Sequence, residues 1–250
     1  MTVLKSFILA ALCALFMTAS ANAAEKARLF LDGIAAYRSG DYDRAVEAFG
    51  RIADSGVENA KLFYNLANAY LKIDDLGRAV QWYEKALKLA PNDPDLKFNH
   101  EYAVSLTKDE KGEKELPLAK ILFFWKHHYS AKTIQYAAII LNALFWLCLL
   151  MAFLFKKPVF KTSAFIILFL SLTLAFTAVY NYYESYRFKQ GIILPPQVSI
   201  RSGLSSDSTE LFRLHAGTKV TIEKENESHF RIFFSTGKIG WIKKQDLGII

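Results

Sequence analysis

The side chains best suited to chemistry in this sequence are few and scattered. There are five histidines and two cysteines in 250 residues. His127 and His128 are adjacent, so on a helix they point to different faces, and no carboxylate or cysteine stands beside them to complete a metal site. Cys13 and Cys148 both fall in apolar runs, which argues against a disulfide framework or a zinc site. No G-x-S-x-G elbow, phosphate-cradling glycine loop or H-E-x-x-H pair occurs. The expectation is a chain without an enzymatic centre and without a cofactor. What remains to do work is a set of aromatic, amide and lysine side chains, the types that hold other molecules.

Those side chains need elements to position them, and composition divides the chain. Net charge is +7, but it is uneven. Residues 24–107 carry 11 basic and 13 acidic side chains, residues 108–189 carry 11 and 5, and residues 190–250 carry 8 and 6. The basic excess therefore sits beside the long apolar runs, where lysines meet lipid headgroups and set orientation. No basic stripe interleaved with aromatics lies on a folded module, so nucleic acid is not an expected partner.

Residues 1–23 have one lysine, an apolar run from Phe7 to Met17, and Ala21-Asn22-Ala23. That is the layout of a secretory leader with an A-x-A cleavage site. The run is too short to span a bilayer core of about 30 Å. An uncleaved anchor is the other reading of the same residues.

Residues 24–107 repeat. Segments 26–59 and 60–93 align over 34 residues without a gap, with "RAV" in register and Gly33 opposite Ala67, Ala45 opposite Ala79 and Phe49 opposite Tyr83. Small residues recur where two antiparallel helices cross, and large apolar ones fill the adjacent holes. Pro91 ends the second unit. Residues 94–107 form a further helix start, with Pro94 in its first turn and no partner helix after it, and read as a cap. Two units and a cap is a short stack, so something else is expected to cover one end. The pattern resembles the tetratricopeptide repeat, more closely in the second unit. The resemblance implies a concave groove lined by the first helix of each pair, with Tyr37, Lys61, Tyr64, Asn68, Lys72, Phe98 and Tyr102 as its protein-binding residues. The plainer reading of these aromatics is packing between helices.

Residues 108–133 begin as a charged linker and continue as a stretch mixing Phe123, Phe124 and Trp125 with lysines, a composition suited to a membrane surface. Residues 134–155 and 162–183 are two runs of 22 residues without a charge. Helical rise makes each about 33 Å, enough to cross. Lys156, Lys157 and Lys161 lie between them in a six-residue loop, 156–161. Short positive loops stay in the cytoplasm. The expected topology is a multi-pass protein of a bacterial inner membrane with both soluble parts periplasmic. Asn142, an amide deep in the first span, is placed to hydrogen-bond the other helix.

Residues 190–250 change texture again. Short alternating runs at Val198–Ile200, Lys219–Glu223, Phe230–Phe234 and Ile239–Ile242 are separated by turn residues, indicating a small barrel. The runs "VSIRSG", "LHAGTKV" and "GKIGWI" resemble the bacterial SH3 domain. The resemblance implies an SH3 groove with Trp241 and Phe230; Trp241 as a core plug is the other reading.

The expected fold is thus multidomain: an all-α tetratricopeptide-repeat solenoid, a two-helix transmembrane hairpin and a small all-β SH3-like barrel. That order, with "FNHEYA" before the linker, resembles the BatE family of the Bacteroides aerotolerance (Bat) operons. The resemblance implies a scaffold in envelope or oxidative stress tolerance. Its implied partners are membrane proteins with von Willebrand A domains and a MoxR-type AAA+ ATPase. The alternative is a peptidoglycan-binding envelope protein that recruits a cell-wall enzyme. A membrane-tethered assembly factor for a secretion system is a third reading.

Overall fold

A computed structural model of the chain describes residues 23–109, 125, 128–187, 189–205, 207–235 and 237–250. The expected leader, but for Ala23, and most of the linker lie outside the described residues.

Five helices form the repeat module: α1 (23–39), α2 (Tyr42–Asp54), α3 (Ala60–Lys72), α4 (Leu76–Leu89) and α5 (Pro94–Ser105). The 34-residue period extends to the caps. Asp41 and Asp75 cap α2 and α4, their carboxylates accepting from the backbone N–H of Arg44 and Arg78. Asn59 and Asp93, again one period apart, cap α3 and α5. Each side chain satisfies donors that the helix start leaves free. The turns before α2 and α4 each need one left-handed residue, Gly40 (φ 83°) and Asp74 (φ 61°). Asp74 carries a Cβ into a region that disfavours it. Asp74→Gly is expected to stabilise the repeats by about 0.5–1 kcal/mol, read as a raised urea midpoint. The core between helices holds Ala45, Phe49, Leu66, Ala79 and Tyr83, all fully buried.

The C-terminal module is a seven-stranded antiparallel sheet in the order β3-β2-β6-β5-β4-β1-β7. Its strands are β1 (Gln190–Ile193), β2 (Gln197–Arg201), β3 (Glu210–His215), β4 (Lys219–Glu225), β5 (His229–Ser235), β6 (Lys238–Lys243) and β7 (Leu247–Ile249). A closed barrel was the expectation; the sheet is open. β3 and β7 are its edges, and no pairing joins them among the described residues. The β7 edge is used differently: Gln81 on α4 donates its Nε2–H to the Ile249 carbonyl at 3.1 Å. A side chain thus occupies a backbone acceptor that a closing strand would have taken.

The two modules share a core at β1. Ile193 packs among Ile200, Leu214, Val220 and Ile232 inside the sheet. Its neighbour Ile192, pointing the opposite way, joins the cluster around Phe49, Val80 and Tyr83 in the repeats. Gly77 lets this happen: a Cβ there would lie 2.3 Å from the Leu194 carbonyl oxygen. The sheet is therefore what covers the exposed side of the second repeat.

Between the modules, α6 (Ala131–Phe155) and α7 (Pro158–Arg187) form a hairpin. Both are long and apolar enough to cross a membrane. The connection is shorter than the expected 156–161 loop. Only Lys156 and Lys157 are outside helix, because Pro158 begins α7 with its φ already set for a first turn, and Lys161 is helical. Lys156 turns the chain in a left-handed conformation (φ 54°).

Candidate functional site: the face of the first helices

The first helices, α1, α3 and α5, carry the residues expected to line a groove. Tyr64 and Asn68 are half-buried and held in one network. Asn99 on α5 donates from Nδ2 to the Tyr64 hydroxyl at 2.6 Å and to Asn68 Oδ1 at 3.4 Å. Tyr83 of α4 donates its hydroxyl to the same Asn68 oxygen. Tyr37 sits edge-on to Tyr42, with ring centroids 5.3 Å apart. Burial, then the neighbouring Tyr42 and Tyr64, pushes the Tyr37 phenol up, and burial does the same for Tyr83. Both stay protonated, and Tyr83 spends its proton on Asn68. At the other end, Lys72 and Tyr102 share a cleft of about 360 Å³ with Leu71, Asp74, Leu76 and Leu106. Phe98 and Tyr102 are 71% and 54% exposed, and Lys61 and Lys72 are exposed. Tyr37, Tyr64 and Asn68 are thus brought together with Tyr83 and Asn99; Lys72 and Tyr102 form a second group; Lys61 and Phe98 stand apart.

The network residues combine a structural role with a surface one. Removing Tyr64 or Asn68 strands buried partners, so these are poor probes of binding alone. Phe98 and Tyr102 are better ones. Asn99 was not singled out in the sequence, although "FNHEYA" contains it, and Tyr83 was read there only as filling the space between helices.

A second polar cluster joins the two modules. Glu84 on α4 meets His100 Nε2 at 3.2 Å and accepts from Lys219 Nζ of β4 at 2.9 Å. Burial would raise the Glu84 carboxyl, but the His100 hydrogen bond and the Lys219 charge outweigh it and hold the group down to about 2. Asp109, just past α5, accepts from the His215 backbone N–H at 2.7 Å and from the Thr218 hydroxyl at 2.6 Å, and also meets His215 Nδ1 at 3.0 Å. Burial raises this carboxyl too, and those hydrogen bonds bring it below its ordinary value. The Glu84 side chain is only 12% exposed. Both carboxylate–histidine pairs are consumed in holding the sheet to the helices.

The sheet has its own cleft, of about 270 Å³, lined by Ser199, Arg201, His229, Trp241 and Lys243 among others. Trp241 is half-buried there, opposite Arg201 and Arg231 in register. Phe230, expected beside it, is instead in the sheet core at 2% exposure. Strand alternation explains the correction: Phe230 and Ile232 of β5 point inward, and so do Gly240 and Ile242 of β6, leaving Trp241 outside.

In the hairpin, Lys156, Lys157 and Lys161 are all exposed at the turn. The other end abuts the repeats: Asn92 Nδ2 donates to the His128 carbonyl at 2.7 Å, and Lys132 pairs with Glu58 at 2.6 Å. Trp125 Nε1 donates to Thr177 Oγ1 of α7 at 3.2 Å. Asn142 was expected to bond α7. It is exposed, and no described residue bonds it, because its helical position is turned away from the buried seam by one residue.

Residues 30–94 match the tetratricopeptide repeat family. No curated protein matches the chain. Tetratricopeptide repeats mediate protein–protein interactions, and this segment suits a scaffold role.

Proposed function

We propose that this protein is a non-enzymatic scaffold of a bacterial inner membrane that takes a segment of a partner protein along the face of α1, α3 and α5. The observation that carries the reading is the exposure of Phe98 and Tyr102. Phe98 at 71% exposure and Tyr102 at 54%, the latter beside Lys72, stand on a face that no described part of this chain covers, while α4 is occupied by the sheet. Exposed aromatics flanked by polar groups are the usual anchors of protein interfaces.

The packing supports one topology. The repeat and sheet modules share a core at Ile192, so they belong on one side of a bilayer. An even number of crossings must separate them, and α6 and α7 supply two. Lys156, Lys157 and Lys161 cluster at the turn and favour its retention in the cytoplasm. Both modules are then periplasmic. The order of modules, with an SH3-like sheet last, resembles the Bat-operon family, which gives the partner class: membrane proteins with von Willebrand A domains and a MoxR-type AAA+ ATPase, serving envelope stress tolerance.

Purification in mild detergent tests this reading. Phe98→Ala with Tyr102→Ala is expected to reduce partner recovery at least ~10-fold, since truncated interface anchors commonly cost ≥2 kcal/mol. The thermal midpoint should not move, both rings being exposed. Undiminished recovery would remove the face of α1, α3 and α5 from consideration.

A second reading has its own observation, the cleft beside Trp241, whose Arg201 and Lys243 would suit the acidic peptides of a cell wall. On that reading the protein binds peptidoglycan and recruits a wall enzyme. The intact chain should then pellet with peptidoglycan sacculi, and Trp241→Ala should release it. A chain left in the supernatant rejects it.

A further inference from the structure

One heptad stripe of α6 is covered by the hairpin, and of the exposed stripes beside it one carries amides. Ile134, Ala138, Leu141, Phe145, Cys148 and Ala152 recur at alternating spacings of four and three residues, and all are buried or half-buried in the hairpin. That spacing keeps one face of a helix against a neighbour. Gln135, Ile139, Asn142, Trp146, Leu149 and Phe153 repeat the same spacing one place later. Every one of them is exposed, with Ile139 at 64%, Trp146 at 62% and Phe153 at 78%.

Aromatic and aliphatic side chains facing lipid need no explanation. The amides do. Asn142 lies about 12 Å of helical rise below Ile134, well inside the apolar run. No described residue hydrogen-bonds it, and none bonds Gln135, two turns above it on the same stripe. A carboxamide left open to hydrocarbon gives up its water hydrogen bonds for nothing.

We infer that this stripe is a self-association face, on which Asn142 of one chain pairs with Asn142 of a second copy inside the membrane. The inference rests on the reading of α6 as a membrane span. A carboxamide is both donor and acceptor. Across a two-fold axis, Nδ2–H of each chain donates to Oδ1 of the other, so the same residue completes its own site. All copies insert in one orientation, which brings equal depths together, as a parallel two-fold pair requires. The flanking residues then pack as knobs into holes, a geometry in which one buried asparagine fixes register. No other polar side chain is needed.

Disulfide trapping in native membranes tests this on the full chain. Cys13→Ser and Cys148→Ser remove the native thiols, and Ile139→Cys, Trp146→Cys or Leu149→Cys is then introduced singly with Asn142 intact. Mild oxidation is expected to give covalent dimers at these three positions and little at Ile140→Cys, Leu147→Cys or Leu150→Cys. Asn142→Leu should lower the dimer yield roughly 3- to 30-fold, the range for one hydrogen-bonded contact between membrane helices. Asn142→Gln should restore it. Equal trapping at both sets of positions, indifference to Asn142→Leu, or trapping to a different protein overturns the proposal. Carbonate extraction of the same membranes separates the two claims. A chain retained in the pellet without dimers defeats only the self-association, whereas a chain released by carbonate defeats the span and the dimer together.

Discussion

Gly77→Ala is expected to undock the sheet from the repeats. In most exposed helix positions this change would help, by up to about 1 kcal/mol. Here the added Cβ would lie 2.3 Å from the Leu194 carbonyl oxygen and 2.6 Å from its Cα. Those are backbone atoms of the β1–β2 connection and cannot rotate aside. Overpacking of this kind costs about 1–3 kcal/mol. The loss should appear at the joint first: faster amide exchange in β1 and β7, and proteolytic release of the C-terminal module at a temperature where α2 and α3 stay protected. Gly50→Ala is the matched control, since nothing lies within 4 Å of a Cβ there and a small gain is expected. Equal behaviour of the two variants would mean that the modules are not held together as described.

The second large effect is at Glu84. Glu84→Ala leaves the Lys219 ammonium and the His100 ring facing each other in a site where their side chains are only 28% and 13% exposed. Lys88, itself shifted down chiefly by burial, adds to the positive field on Lys219. Removing one partner of a buried pair costs about 3–5 kcal/mol, taken toward the lower end because Lys219 reaches solvent. The same group sets a pH dependence. The folded carboxyl is held at about 2, below its ordinary 4.5. Depressed acids stabilise the folded form above their unfolded value and lose that contribution as pH falls through the folded one. Docking should therefore be complete above about pH 4.5 and weaken progressively toward pH 2, by about 3 kcal/mol if Glu84 acts alone. Asp109, also depressed, contributes in the same direction. Denaturant midpoints read against pH should show this slope in the natural chain and a flatter one in Glu84→Gln. A slope unchanged by that substitution would assign the acid sensitivity elsewhere.

Local signals in this chain were readable and long-range ones were not. The 34-residue period, Pro94 at a helix start and the strands around Val198, Val220, Ile232 and Trp241 follow from spacing and turn chemistry that act over a few residues. Pro158 carried such a signal too, which shortens the expected lysine loop to Lys156 and Lys157. Strand alternation likewise places Phe230 with Ile232 inside and Trp241 outside. Glu84 offered nothing local: it sits among polar neighbours on α4, and its partners are 16 and 135 residues away. Asp109 opens a charged run that reads as linker, and only the folded sheet brings Thr218 and His215 to it. The open sheet was hidden for a similar reason, because Gln81, which occupies the β7 edge, belongs to another module.

One labelling experiment bears most directly on the proposal of a scaffold whose two docked modules face the same side of the membrane. Ser55→Cys in the repeats, Glu227→Cys in the sheet and Lys157→Cys at the hairpin turn are made singly in a chain lacking its own thiols. Intact cells are then treated with a membrane-impermeant maleimide. Labelling at 55 and 227, with 157 reacting only after the cells are opened, is the expected result. Labelling at 157 in intact cells, or at just one of the other two, contradicts it.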